Sequence, residues 1–387
     1  MNKDIKTRCI HLDEESPDQV FGAISFPIFQ TATFAHKGVG KSTGYDYSRA
    51  GNPTREQLEK VVTALENGTC GFAYASGMAA ITAFMDLFNP GDHIIADRDL
   101  YGGSTRLFNT LSKKNGIEFT SIDCSDENIS DYIKENTKAI FIETPTNPMM
   151  NVVDIEKVAG IAKAHGLLLA VDNTFLSPYL QNPLELGADI VIHSGTKFLS
   201  GHNDSIAGFL ITSSEEIGDE LAFNLKTTGA MLSPFDSWLL LRGIKTLSVR
   251  MDRAQENTQK IVEYLQASPY IKKVYYPGIE TSRGYEIMKK QARGFGAMLT
   301  FEACSKEFAL KVLDNVRMIK FAESLGGVES LITYPVTQTH ADVPKDILEK
   351  NGITESVLRM SVGIESADDL IGELDSVFHK VAAELGI

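Results

Sequence analysis

Between Cys70 and Thr212 the chain repeats one pattern: a short apolar run, a stretch with helical spacing, then another apolar run. Strands separated by connections of this length do not close as tight hairpins. They pair in parallel and the intervening segments cover the sheet, so the pattern specifies a mainly parallel α/β layer. The predicted strands are 70–75, 93–96, 117–122, 138–143, 167–172, 188–193 and 206–212, which make one seven-stranded sheet. Between the fourth and fifth, Ile155, Val158, Ala159 and Ala162 fall at i, i+3, i+4 and i+7, an apolar helical stripe that Gly166 would end.

A chain of 387 residues exceeds what a single hydrophobic core usually covers, so more than one folding unit is expected. Residues 26–55 are rich in Gly, Tyr, Ser and Pro and resist regular assignment, which predicts an extended arm of the kind that reaches a neighbouring subunit. From about residue 235 a long helical pattern runs to Ala267, and mixed strands and helices follow. A last helix carries Leu370, Leu374, Val377, Phe378, Val381 and Leu385 along one face. The expected division is an arm at 1–55, a large domain at 56–235 and a smaller C-terminal α+β domain at 236–387.

A formal charge of −14 repels polyphosphate backbones and acidic lipid, and no local run of Lys and Arg reverses it. Nucleic acid and membranes are therefore not expected partners. No stretch approaches the roughly 20 apolar residues of a membrane span, and the start has charge but no apolar signal core. The expectation is a cytoplasmic protein. Cys9, Cys70, Cys124 and Cys304 lie far apart with no CxxC pairing, so neither a zinc knuckle nor a disulfide framework is indicated.

In open α/β sheets, ligands bind beyond the carboxyl ends of the strands, which makes the polar residues following each predicted strand the first candidates. Ser76-Gly77-Met78 follows the first strand and opens a helix, Tyr101-Gly102-Gly103 follows the second, and Glu143-Thr144-Pro145-Thr146-Asn147-Pro148 follows the fourth. Asp172-Asn173-Thr174 ends the fifth, and Ser194-Gly195-Thr196-Lys197 follows the sixth. One rim thus collects a hydroxyl-capped helix start, an aromatic ring, an amide, a carboxylate and a lysine.

Pyridoxal phosphate needs an amine for its aldehyde, an anion for its ring nitrogen, a flat surface and a phosphate cradle. Lys197 would bond the aldehyde, Asp172 would keep the pyridine nitrogen protonated, and Tyr101 would stack on the ring. The amides of Gly77 and Met78, with the hydroxyls of Ser76, Ser194 and Thr196, would hold the phosphate at a helix N-terminus. Each residue alone has a plainer reading: Ser76 as an N-cap, Tyr101 as core packing, Asp172 as a turn residue, Lys197 as a solvated side chain. Their convergence on one rim favours the cofactor.

Other motifs fail. Residues 35–42 (AHKGVGKS) end like a P-loop, but Gly44 to Ser48 and then Asn52-Pro53 deny the helix that a P-loop requires. No HExxH or GxSxG is present, and His193 lies in an apolar strand where a core histidine is the plain reading, so no metal site is expected.

The segments Tyr47-Ser48-Arg49, Gly51-Asn52-Pro53-Thr54-Arg55, Ser76-Gly77-Met78, Tyr101-Gly102-Gly103, Glu143 to Pro148, Val171 to Thr174 and Ser194 to Lys197 form one set. Glu323-Ser324-Leu325-Gly326-Gly327 and Arg359-Met360-Ser361-Val362-Gly363 complete it. Together, over nearly the whole chain, they resemble the Cys/Met-metabolism family of pyridoxal-phosphate enzymes. The resemblance implies the type I, aspartate-aminotransferase-like fold, pyridoxal 5'-phosphate on Lys197, and a homotetramer built from two dimers. It implies that Tyr47 and Arg49 reach the phosphate in a neighbouring subunit's site and that Thr174 joins the cofactor-side residues. It implies also that Arg359 clamps the substrate α-carboxylate, helped by Asn147, Ser324 and Leu325; a surface ion pair is the plainer alternative for Arg359.

The same resemblance implies chemistry at the γ-carbon of small sulfur-containing amino acids, with Lys197 shuttling protons and Tyr101 as a further proton-transfer candidate. Glu323 is a candidate to hold the distal ammonium of cysteine or cystathionine. Glu323 and Gly102-Gly103 both differ from what is typical of family members that cleave methionine. Residues 331–340 (LITYPVTQTH) are similar to those of bacterial members that join an O-acylhomoserine to cysteine, some of which accept sulfide. The expected reaction is therefore γ-replacement giving L-cystathionine. γ-Elimination, of cystathionine or else of methionine, is the alternative, and a catalytically silent scaffold the non-enzymatic one. Loops around Tyr45, Phe108 and Tyr334 are expected to select the acyl group.

Overall fold

The structure, a computed structural model, describes residues 3–11, 22–341, 343 and 345–387. The seven expected strands all form, as β1 Cys70–Tyr74, β2 His93–Asp97, β3 Glu118–Ile122, β4 Thr137–Glu143, β5 Leu168–Asp172, β6 Ile190–Ser194 and β7 Gly208–Thr212. They lie in one sheet in the order β1-β7-β6-β5-β4-β2-β3. The strands from β3 to β6 pair in parallel, whereas β7 runs antiparallel to both β6 and β1. The 195–207 segment forms no helix on which to cross over, so the chain turns back on itself after β6.

The central strands are covered on both faces, which is why they read as continuous apolar runs rather than as an alternation. Ile95, Ile140, Ile142, Leu169 and Val171 meet Ile155, Val158, Ala159 and Ala162 of the Ile155–His165 helix. That helix stops at Gly166, whose φ of 64° is left-handed, as its position in the sequence suggests. On the other face Ala96, Phe141, Ala170, Ile192 and Leu210 meet Ala80, Ile81 and Phe84 of the Gly77–Met85 helix.

A second sheet is built from β8 Ile271–Tyr275, β9 Met298–Ala303, β10 Lys320–Phe321, β11 Leu331–Thr333 and β12 Val357–Ser361, ordered β10-β11-β12-β9-β8. The Ala367–Leu385 helix covers it, sending Leu370, Leu374, Val377, Phe378 and Val381 into a core with Phe301, Leu358 and Met360. The architecture is α/β: a mainly parallel seven-stranded sheet with a smaller C-terminal domain.

The helical pattern beyond residue 235 divides into two helices, Pro234–Ile244 and Leu247–Ala267. The Gly243 carbonyl accepts Thr246 Oγ1 at 3.0 Å and Arg250 Nη2 at 3.0 Å, and these side chains end the first helix although the apolar periodicity continues. Asn52 Oδ1 accepts the Thr54 N–H at 3.0 Å and caps the Pro53–Leu65 helix. The divisions drawn at 55 and 235 therefore fall just inside helices. Of the expected arm, residues 1, 2 and 12–21 lie outside the described residues, and Ile5–Ile10 forms a helix. Residues 35–42 make a turn closed by Lys37 N–H donating to the Lys41 carbonyl at 3.0 Å, with no helix between residue 42 and Pro53. Among the described residues no helix is long and apolar enough to cross a membrane.

Candidate active site

A cavity of about 250 Å³ opens beyond the carboxyl ends of β4, β5 and β6, where β12 of the second sheet faces them. Every expected site residue except Tyr47 and Arg49 lines it. Those two lie elsewhere on this chain: Tyr47 is 48% exposed, the Arg49 guanidinium sits 5.5 Å from its ring centre, and Arg49 Nη1 donates to the Lys226 carbonyl.

At one end Ser76 does act as an N-cap, its Oγ accepting the Ala79 N–H at 3.0 Å. The next amides, of Gly77 and Met78, have no acceptor among the described residues, leaving a helix N-terminus free to meet an anion. β7 crosses directly beneath: a Cβ on Gly208 would lie 2.1 Å from the Ser76 carbonyl oxygen, so only glycine allows this approach. The Thr196 hydroxyl is tied to Ala207, accepting its N–H at 3.0 Å and donating to its carbonyl at 3.2 Å.

Asp172, the last residue of β5, is buried and accepts the Thr174 N–H at 3.0 Å and the Thr174 hydroxyl at 2.5 Å. Burial raises its carboxyl above the ordinary value, and the Thr174 hydrogen bonds oppose that. Thr174 Oγ1 in turn accepts the Ser194 N–H at 2.9 Å, tying the acid to the lysine loop. Lys197 Nζ donates to Ser324 Oγ at 2.8 Å. Burial lowers the Lys197 ammonium to about 8; the positive Arg359 adds to this and Glu323 opposes it. Ser324 holds a φ of 87°, a conformation that non-glycine residues rarely adopt.

Arg359 is 1% exposed, which removes the surface ion pair as an explanation for it. Nη1 donates to Asn147 Oδ1 at 2.8 Å, and Nη2 to the Ser324 carbonyl at 3.0 Å and to Thr333 Oγ1 at 3.3 Å. All these acceptors are neutral, and Nε is buried without a partner. Burial pushes the guanidinium down to about 10. A buried cation without a counter-ion is costly, so this pocket is electrostatically complete only when it holds an anion such as a carboxylate.

Sequence reasoning gave no role to several residues that the structure brings to the site. Glu143 lines the cavity and its Oε2 accepts the Tyr101 N–H at 2.9 Å. Thr339 lines it as well, and its neighbour His340 is buried with Nε2 3.0 Å from the Asn147 carbonyl. Glu143 was legible as a strand-end acid; the His340 and Thr333 contacts are long-range and carry no local signal. The loop around Tyr334 reaches the cavity through Thr339, while the three side chains named for acyl selection sit outside it. Phe108 is a core residue stacked on Phe119 at 4.7 Å, and Tyr334 is buried with its hydroxyl donating to the Glu355 carbonyl at 2.9 Å. Tyr45 donates to Glu56 at 2.6 Å, and none of these three residues lines this chain's cavity. His193 is a buried core histidine 2.6 Å from Glu66 Oε1. Among the described residues no group of His, Cys, Asp and Glu is arranged to hold a metal ion.

A free helix N-terminus, a buried acid, an aromatic ring and a buried amine around one cavity fit pyridoxal phosphate. Residues 6–379 match the Cys/Met metabolism PLP-dependent enzyme family. The chain belongs to this family. Pyridoxal phosphate is its cofactor, and its fold is the type I fold. Cystathionine β-lyase of Lactococcus lactis subsp. cremoris is 47% identical over 377 residues, 97% of this chain and 99% of that one. The cystathionine γ-synthase/O-acetylhomoserine (thiol)-lyase of Bacillus subtilis is 48% identical over 382 residues, 98% of each. The crystal structure of a cystathionine γ-lyase from Lactobacillus plantarum complexed with L-serine superposes with a TM-score of 0.95 at 42% identity, covering 98% of this chain and 99% of that one. This member of the Cys/Met metabolism family is thus an enzyme of the transferase and carbon–sulfur lyase group. Its relatives carry different reaction names, and the β-lyase adds a β-carbon reaction that the sequence reading did not consider.

Proposed function

We propose that the enzyme joins an O-acylhomoserine to cysteine at the γ-carbon, forming L-cystathionine, and that it also accepts sulfide. The 331–340 segment, similar to that of the synthases, favours this reading, and the Glu323-Ser324 pair serves three needs of such a substrate. The Ser324 carbonyl accepts from Arg359, its hydroxyl accepts from Lys197, and the exposed Glu323 stands next to it on the cavity wall. An α-carboxylate would sit at Arg359 and Asn147, an α-amine near Lys197, and the ammonium of incoming cysteine near Glu323. The 331–340 segment, which resembles the synthases, contributes Thr333 to the Arg359 clamp and Thr339 to the cavity.

Bound pyridoxal phosphate supplies an aldehyde for the substrate amine and a ring that takes up negative charge. Asp172 would keep that ring's nitrogen positive, Tyr101 would cover its face, and Gly77, Met78, Ser76 and Ser194 would hold its phosphate. Lys197 would receive the Cα proton at Nζ and carry it onward. An ammonium lowered to about 8 populates both protonation states near neutral pH, as a proton shuttle requires. In the net reaction the γ-carbon–oxygen bond breaks, the acyl group leaves as a carboxylic acid, and the thiol loses its proton as the carbon–sulfur bond forms. Tyr47 and Arg49 would complete the phosphate end of a neighbouring subunit's site in a cytoplasmic homotetramer, a reading supported by their position away from this chain's own cavity.

Cleavage of cystathionine is the second reading, supported by the β-lyase and γ-lyase relatives, since the same residues would serve it. A product assay separates the two. Given O-acetylhomoserine or O-succinylhomoserine with cysteine, the enzyme is expected to accumulate cystathionine. Given cystathionine alone, rapid release of cysteine with 2-oxobutanoate, or of homocysteine with pyruvate, alongside little synthesis, would replace the synthase reading with a lyase.

A further inference from the structure

Glu143 ends β4 directly beside Asp172, the last residue of β5; the two are partners in the parallel ladder. Both are buried and both border the cavity. Two carboxyl groups packed together away from water do not both hold negative charge. Hydrogen bonding decides which of them keeps it. Asp172 accepts two donors from Thr174, whereas Glu143 accepts one, the Tyr101 N–H.

The groups around Glu143 reinforce the difference. Asp97 and Asp99, at and just beyond the end of β2, are buried acids that oppose a charge on it, as Asp172 does. Arg359 shares the cavity and its charge favours a negative Glu143, but neither Arg359 nor Lys197 is ion-paired with Glu143 among the described residues, and Tyr101 meets it through the main-chain N–H. Burial first, and Asp172 next, push the Glu143 acid well above the ordinary carboxyl range. A protonated carboxyl still accepts a hydrogen bond through an oxygen.

We propose that Glu143 is a positioning residue that seats Tyr101 through its main chain while itself carrying a proton, leaving the negative charge of this pair to Asp172. A charged Glu143 would raise the proton affinity of Asp172 and favour its protonated, neutral form, which cannot pair with a protonated ring nitrogen. The neutral acid seats Tyr101 without that cost. The proposal rests on the assignment of Asp172 and Tyr101 as cofactor contacts.

The test uses full-length wild type, Glu143→Gln and Glu143→Ala, each loaded with pyridoxal phosphate. The pH midpoint of the bound cofactor's absorbance change and the cofactor Kd are measured, with thermal unfolding as a control for fold. Glutamine keeps the shape, the acceptor and the neutral charge, so its midpoint is expected to stay within about 0.3 pH unit of wild type. Alanine leaves the Tyr101 N–H without its acceptor and is expected to weaken cofactor binding roughly 3- to 10-fold. A Glu143→Gln midpoint displaced by about one unit or more would mean that Glu143 is charged and would overturn the proposal. A wild-type Kd in Glu143→Ala would overturn the seating role. Asp172→Asn is read separately: an unchanged midpoint there sinks the Asp172 assignment and leaves the glutamine result to be judged by itself.

Discussion

Arg359 Nη1 and Asn147 Oδ1, 212 residues apart in the chain, meet at 2.8 Å and join the rim of the parallel sheet to the sheet of the smaller domain. The guanidinium is surrounded by neutral acceptors and has no anion of its own. Replacing it by Gln is expected to lower kcat/KM for the amino-acid substrate roughly 30-fold or more, as loss of a buried charged hydrogen-bond partner does. The loss should appear mainly in KM while the cofactor's absorbance persists. Steady-state kinetics with an absorbance spectrum of each protein checks this, and an unchanged KM would remove Arg359 from the clamp.

Lys197 in cofactor-free protein should react with an acylating reagent with a half-maximal pH near 8 instead of the usual 10.5 for lysine. The positive charge of Arg359 disfavours the ammonium, so Arg359→Gln should move that midpoint upward; Glu323 favours it, so Glu323→Gln should move it downward. Mass spectrometry of the modified peptide gives both shifts. Lys197→Ala should take up the cofactor without turning over substrate.

Glu323 separates two acceptors that differ by one charge. Cysteine brings an ammonium and sulfide does not. Glu323→Gln is therefore expected to lower kcat/KM for cysteine by about 3- to 10-fold, the modest scale of a solvent-exposed ion pair, and to leave sulfide unaffected. Equal losses with both acceptors would assign Glu323 a structural role.

His340 gives the protein a specific sensitivity to acid. Burial, with Arg359 adding, lowers its imidazolium to about 4, whereas the unfolded chain titrates near the ordinary 6.5. The unfolded state thus binds more protons between those values, so stability present above 6.5 falls as the pH drops toward 4. The full effect of this one group is at most roughly 3 kcal/mol. Denaturant midpoints measured over that window should fall less steeply in His340→Gln than in wild type, whatever the offset between the two proteins at neutral pH.

The strands were legible because burial on both faces makes them unbroken apolar runs, as in Ile190-Val191-Ile192. Most of the rim was legible for a topological reason: residues following parallel strands share an edge, which brought Ser76, Tyr101, Asp172 and Lys197 together before any distance was known. What escaped depends on contacts between distant segments. Thr246 and Arg250 end a helix that the apolar periodicity would have continued. Sequence shows the Phe108 and Tyr334 rings but not the Phe119 face or the Glu355 carbonyl that engages them. Glu143 stood in a recognised segment, yet its importance comes from having Asp172 as its ladder partner, a fact of register.

The segment bearing Lys197 is spliced between two hydrogen-bonded neighbours, β6 and β7, and stapled across its base by the paired Thr196–Ala207 contacts. The turn at Lys197 is held further by Lys197 N–H donating to the Ser194 carbonyl at 3.2 Å and by Gly201 N–H donating to the Lys197 carbonyl at 2.8 Å. The amide hydrogens of Thr196 and Lys197 should exchange with solvent only when the sheet itself opens, so Lys197 belongs with the slow-exchanging core of the sheet. Retention of the cofactor under heat or denaturant should then follow global unfolding, with no earlier step in which the lysine alone lets go.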